Sequence, residues 1–333
     1  MKLENNTSFD AQAIPGGGPG EQLILTIIVK GTFEFKADGS TVPAAKQIPI
    51  AFADEMSEVG ETRFESDLAP FKPRADVVLV GKAYAPHNAP TAAVDVTLRV
   101  GSLKKTLRVF GDRSWESGGF FSGPTPTTAT PFAQMELCYA KAYGGVDSAS
   151  GAACLENPIG KGCIAETAKK KSIEGRALPN IEDPKALITK VEDRPLPVGF
   201  GVVGKGWQPR VKYLGTFDQK WQSERAPRMP EDCSYEFYNV APRDQQVEGY
   251  LRGGELIELI NLTPEGRLEG CVPNPSLQVQ VGFNRAPRLE KVEMKLDTLY
   301  LMPDDKCLTA TWRGICFVSD ALASEVERVL VSL

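Results

Sequence analysis

His87 is the only histidine in this 333-residue chain, and it excludes more chemistry than any other residue. No His-Glu-x-x-His zinc helix, two-histidine metal triad or histidine proton relay can be built from one imidazole. A Ser-His-Asp triad would have to use His87, which stands in the turn-forming context Ala85-Pro86-His87-Asn88-Ala89-Pro90. The expectation is a solvated loop histidine. Seven cysteines, at 138, 154, 163, 233, 271, 307 and 316, are odd in number and contain no Cys-x-x-Cys pair. Their spacing fits neither a disulfide framework nor a zinc site, so reduced, largely buried thiols are expected. No metal or cofactor follows from this inventory.

Gly199-Phe200-Gly201-Val202-Val203-Gly204 fits the letter of G-x-G-x-x-G, with Asp218 near the acidic spacing. The context fails, because a dinucleotide fingerprint needs a buried strand before it and a helix N-terminus after it. Here Glu192 to Pro197 precedes, and Pro209 would break the first turns of a following helix. A β-rich glycosidase would need paired carboxylates. Asp76, Asp112, Asp218, Glu231, Asp232, Asp244 and Glu255 all lie near aromatic or turn residues, as chance allows among 43 acids. The aromatics of 199–242 form an aromatic-lined carbohydrate site or, by the simpler reading, the core of an irregular region. Arg74, Arg113, Arg210, Arg252 and Arg313 sit beside Pro, Gly or Trp, where arginines commonly satisfy loop carbonyls and carboxylates. No reaction mechanism emerges.

The elements that would position these residues are mostly strands. From 94 to 100 and from 103 to 109, apolar and polar residues alternate on either side of Gly101-Ser102. A two-residue type II′ turn there pairs Val100 with Leu103, Val96 with Leu107 and Val94 with Val109, leaving Lys105 as the exception on the apolar face. Leu23 to Val29 reads as a strand buried on both faces and Thr32 to Lys36 as an alternating one. After a turn at 37–40, Thr41 to Phe52 returns as the partner, and Val77 to Tyr84 is another strand. Further strands are expected at 256–262, 277–283, 292–301 and 307–315. Short helices are expected at 135–143, at 218–225, and at 321–330 under an Asp320 cap. The fold class is therefore mainly β (α+β). It divides into an antiparallel, sandwich-like part at 1–115, Gly/Pro-rich connections at 116–198, and an aromatic, β-rich part at 199–333 with a terminal helix. A charge of -5 gives no electrostatic reason for a nucleic-acid partner, and no apolar run is long enough to insert in a membrane. No secretory signal is visible, so a cytoplasmic location is expected.

A longer pattern runs through the chain in order. Arg74 and Asp76 stand in Lys72-Pro73-Arg74-Ala75-Asp76-Val77, with Gly81 shortly after them. Gly101 closes Leu98-Arg99-Val100-Gly101, and Asp112, Arg113 and Trp115 lie in the stretch 108–115. Then come Asn157-Pro158-Ile159-Gly160-Lys161-Gly162, Trp207 and Arg210 in Trp207-Gln208-Pro209-Arg210, and Gly215-Thr216-Phe217-Asp218 with Trp221. Pro242 in Asn239-Val240-Ala241-Pro242-Arg243, Arg252 and Glu255 in Leu251-Arg252-Gly253-Gly254-Glu255, and Trp312-Arg313-Gly314 complete it. This set resembles the large domain-of-unknown-function family of bacterial type VI secretion accessory proteins, encoded beside VgrG spikes, PAAR tips and toxic effectors. The resemblance covers roughly residues 20–318. It implies a non-enzymatic adaptor or chaperone that binds a cognate effector and helps load it on the spike, with no catalytic residues to carry over. Some relatives continue into pentapeptide repeats, which this chain lacks. The competing readings are a carboxylate-dependent hydrolase of carbohydrate-like substrates and a secreted structural piece of the spike. An adaptor needs exposed apolar or strand-edge surface. The expected place is the junction of the N-terminal sheet with 199–262.

Overall fold

The hairpin around Gly101-Ser102 forms in the expected register. Val100 lies opposite Leu103, Leu98 opposite Lys105, Val96 opposite Leu107 and Val94 opposite Val109. Gly101 takes φ +57° and Ser102 does not take a positive φ, as a type II′ turn requires. The strands Ala93–Val100 and Leu103–Phe110 sit in a five-stranded antiparallel sheet, flanked by Ile181–Glu182 on one side and by Leu256–Ile260 and Arg267–Cys271 on the other. In this computed structural model the described residues are 1–18, 22–118, 123–166, 172–226, 228–284, 286–318 and 326–333.

The largest sheet has a backbone of two long strands from opposite ends of the chain. Leu23–Phe35 pairs antiparallel with Cys307–Val318, so that Cys307 faces Glu34 and Val318 faces Leu23. Asp10–Gly17 and Thr41–Pro43 add to Leu23–Phe35; Lys295–Met302, Ala75–Leu79 and Gln246–Val247 continue beyond Cys307–Val318. Ala75–Leu79 runs parallel to Lys295–Met302. Both faces of this sheet are covered. Val77, Leu79, Leu25, Ile27 and Val29 join the main core, whereas Val78 and Tyr300 pack with Val202, Val240 and Ala241 on the other side. That two-sided burial is why these strands read as unbroken apolar runs rather than alternating ones. A third, four-stranded sheet supplies Val279, Val281, Val329 and Val331 to the same main core. The protein is thus mostly β, and strands from before residue 115 and after 199 share both large sheets.

Several local expectations change. The run Val77 to Tyr84 is two strands, Ala75–Leu79 and Lys82–Tyr84, which belong to different sheets. The terminal helix over 321–330 is not formed where it is described: 319–325 lie outside the described residues, and Val326–Ser332 is a strand. It pairs parallel with Lys2–Asn5 and antiparallel with Gln278–Phe283. A register shift at Gly282/Phe283 leaves Glu327 unpaired and puts Val326 on the same buried face as Val329 and Val331. That bulge produces the three-residue apolar spacing that imitates a helix. The 135–143 helix is replaced by the strand Gln134–Glu136 and a 3-10 turn at Tyr139–Lys141. Distant acceptors take its amides: Leu137 N–H donates to the Gly81 carbonyl and Tyr139 N–H to Glu61. Only Thr41–Pro43 of the 41–52 stretch pairs as a strand. Beyond it, the Gln47 side chain donates to Thr32 O and accepts from Thr32 N–H, standing in for a strand's backbone. The short helix at 218–225 does form, as Gln219–Glu224 with Asp218 accepting from Trp221 N–H at 2.8 Å.

Gly101 allows a direct check of the hairpin. A Cβ there would meet Glu255 Cγ at 3.1 Å as well as adopt the left-handed region. Gly101→Ala should lower unfolding free energy in urea by about 1–2 kcal/mol, whereas Gly206→Ala, with open space around it, should stay within about 0.5 kcal/mol.

Candidate functional site

The side chains singled out in the sequence are mostly tied into the scaffold. Asp76 is fully buried and accepts four bonds: from Lys72 Nζ at 2.8 Å, Val240 N at 3.0 Å, and Asn239 Nδ2 and Ala241 N at 3.1 Å. Those bonds fasten the 239–241 loop over the strand Ala75–Leu79. Arg210 donates through both terminal nitrogens to Glu65 and also to the Val203 and Phe237 carbonyls. Arg313 donates to Asp297 at 2.6 Å and to the Asp67 and Ala69 carbonyls, while Lys30 pairs with Asp67 at 2.8 Å. Arg113 lies 3.7 Å from the Phe110 ring centroid and pairs with Glu182, whose carboxyl is pushed up by burial and pulled back by that arginine. Arg74 bonds Gln246 and pairs with Glu236 at 3.1 Å. Most of these link a loop to a strand, and Arg210 ties the segments around Glu65, Val203 and Phe237 to one another, which is a positioning role.

The remaining candidates are scattered. Trp115 is buried in a satellite cluster with Tyr143, Ile164 and Leu178; Trp312 stacks on Phe9 and meets Phe33 edge-on. Trp207 packs edge-on against Tyr139, with centroids 5.3 Å apart. Gly81 lies against Pro303, and Pro242 precedes the 3-10 turn Arg243–Gln245. Glu255 accepts from Arg252 N–H at 2.7 Å, Asp112 from Asn180 at 3.0 Å, and Asp232 from Thr216. Trp221 donates to the Arg228 carbonyl beside the partly exposed Phe217. His87 is exposed, in a turn at φ +54°. Of the carboxylates weighed for hydrolysis, Asp218, Glu231 and Asp232 line one open pocket beside Trp221, whereas Asp244 lines a different one and Asp76 is fully buried.

The Gly199–Gly204 stretch has a packing explanation. A Cβ on Gly199 would strike the Tyr139 ring at 2.9 Å, and one on Gly204 the Trp207 ring at 2.7 Å. These glycines let two aromatics approach the backbone. Phe200 O accepts from Leu79 N–H and from Gln245, so the segment crosses the end of the large sheet.

What the structure brings together here is a groove of about 580 Å3. Its walls come from all three stretches of the chain. It is lined by Arg74 and Lys105, by Tyr139 and Pro195 to Val198, and by Val203, Pro209, Tyr213, Ala241 and Pro242. Leu196 is 75% exposed at its rim. Lys105, the exception on the apolar face of the hairpin, explains itself here. Its ammonium is buried and donates to Gly199 O, Asp244 Oδ1 and Gln245 Oε1 at 2.8–2.9 Å, using all three protons. Burial pushes its pKa down, while Asp244 and Asp183 pull the other way. The groove had only a weak sequence signal: an unexplained lysine on an apolar face and a proline-flanked leucine. The open edge Asp10–Gly17 is a poorer place for an incoming strand. Asp10 Oδ1 already accepts the Ala11 N–H, and Pro15 offers none.

Glu61 carried no signal in the sequence. Its carboxyl lines a smaller pocket of about 220 Å3 with Glu136 and Cys138, and both its oxygens lie 3.0 Å from Tyr139 N. Desolvation raises its pKa to about 7.

The buried network sets an expected order of costs. Asp76→Asn leaves the Lys72 ammonium buried without its carboxylate and should cost about 3–5 kcal/mol. Asp218→Ala removes only an exposed helix cap and should cost about 1 kcal/mol. Urea unfolding followed by tryptophan fluorescence measures both, and equal losses would contradict this ranking.

No curated protein matches this chain, and no solved structure does. A family model does match, over residues 20–313, spanning both large sheets and the groove. Its description carries no activity or partner. The chain belongs to the family described as uncharacterized protein conserved in bacteria (DUF2169).

Proposed function

We propose that this protein is a non-enzymatic adaptor or chaperone for a type VI secretion effector. It holds an extended segment of its client in the groove between Lys105, Tyr139, Leu196 and Tyr213, and assists loading onto the VgrG/PAAR spike. The observation that carries this reading is the groove itself. It is open, walled by prolines, aliphatic side chains and tyrosines, and broad enough for a chain of side chains rather than one reacting bond. Three of its cations are committed to the fold, Lys105 to Asp244, Arg74 to Glu236 and Arg210 to Glu65, while Arg243 pairs with Glu248 at the exposed surface. Such groups shape a surface and leave apolar contact as the source of affinity. The type VI assignment comes from the sequence resemblance, and a bacterial cytoplasmic location with the effector as partner belongs to the same proposal.

A second reading, a carboxylate-dependent hydrolase, draws on Glu61 and Glu136 in their shared pocket. It requires polysaccharide cleavage that disappears in Glu61→Gln. The adaptor reading requires none.

The adaptor is tested by co-expression with the effector encoded beside it. Leu196→Asp, at the exposed rim, should reduce effector capture at least about tenfold with an unchanged melting temperature, and Tyr213→Ala should add to the loss. An effector that is equally soluble and equally delivered without this protein overturns the reading. Capture that survives Leu196→Asp and Tyr213→Ala moves the binding surface elsewhere.

A further inference from the structure

The described residues include seven buried carboxylates, and six have a cation within ion-pair distance. Glu65 has Arg210, Asp67 has Lys30, Asp76 has Lys72, Asp147 has Arg176, Glu182 has Arg113 and Asp297 has Arg313. The seventh, Glu61, is 5% exposed and forms no ion pair among the described residues. Only backbone amides hold it. The Tyr139 N–H reaches both its oxygens, and Ala140 contributes as well. Burying an unpaired carboxylate is costly, and the cost is relieved by a proton or by movement to water. Its pocket offers the second route, being open to solvent and lined by groups from every neighbouring element. These are Arg63 beside it, Lys82 on the strand Lys82–Tyr84, Glu136 and Cys138 before the Tyr139 turn, and Asp304 in the turn Pro303–Asp305. Glu136 repels a charge on Glu61, and neither Arg63 nor Lys82 comes within ion-pair distance of it.

We propose that Glu61 is a proton-operated latch on the Tyr139 turn. The closed, buried arrangement is the protonated one, and ionisation drives the carboxyl toward the pocket mouth and releases the Tyr139 amide. The turn is a wall of the groove: Tyr139 lines it, meets Trp207 edge-on, and presses on Gly199, whose carbonyl anchors Lys105. Release therefore loosens that wall, whatever the groove binds. The direction follows from linkage. An acid raised from 4.5 to about 7 in the closed state favours closure fully below 4.5, and the advantage is lost as pH rises through about 7.

Amide hydrogen exchange on the full chain, corrected for intrinsic rates, tests this between pH 4.5 and 8. Protection at Tyr139 should fall by about two orders of magnitude across that range in the wild type. In Glu61→Gln it should stay flat. Glu136→Gln, at an exposed position, should move the midpoint to lower pH, and this variant decides the matter if Glu61→Gln does not fold. Protection that is independent of pH in the wild type, or that falls equally in Glu61→Gln, overturns the proposal. So does a midpoint unmoved by Glu136→Gln.

Discussion

The pairing of Leu23–Phe35 with Cys307–Val318 is the constraint on which the other elements depend. It joins strands almost three hundred residues apart and gives the large sheet its two longest members. Every other strand of that sheet extends outward from this pair. The entropy of closing so long a loop grows only slowly with length, so the cost is offset by one extended apolar interface. Ile24, Leu25, Ile27, Ile28 and Val29 are all fully buried in it. Truncation at either end would therefore remove the centre of the sheet rather than an appendage.

Buried ions finish what the sheets begin. The loops crossing the large sheet bury Val202, Val240 and Ala241 against it and are further fastened by charge-assisted bonds. Asp67 receives Lys30 while its carbonyl receives Arg313; Asp76 receives Lys72, the Asn239 side chain and the backbone amides of Val240 and Ala241. A buried pair of this kind adds little net stability over an apolar substitute but fixes one geometry, because breaking it strands a charge. Such fastening shapes the groove. Lys105 holds 199 and 244–245, and Arg210 holds 203 and 237, so the two walls sit at a set distance. Among the described residues, Glu61 departs from this pattern, with amides in place of a cation.

Much of the fold was legible. Alternation around Gly101-Ser102 defined a hairpin to the residue, since a one-residue slip would turn every side chain over. Continuous apolar runs marked strands buried on both faces. The errors have equally specific causes. A single bulge beside Gly282 made a strand look helical at Val326 and Val329. A carboxylate 78 positions away took the amide that would have continued a helix at Tyr139.

The sequence by itself determined the β class, the hairpin register, a short helix within 218–225 and the narrow chemical inventory around one histidine. Those follow from local pattern and residue type, which act over a few neighbouring positions. Tertiary structure alone decided that the chain's two ends share a sheet, that Lys105 anchors a groove wall, and that Glu61 is, among the described residues, the buried acid without a cation. These depend on which distant group arrives beside a side chain, and no spacing along the chain encodes that arrival.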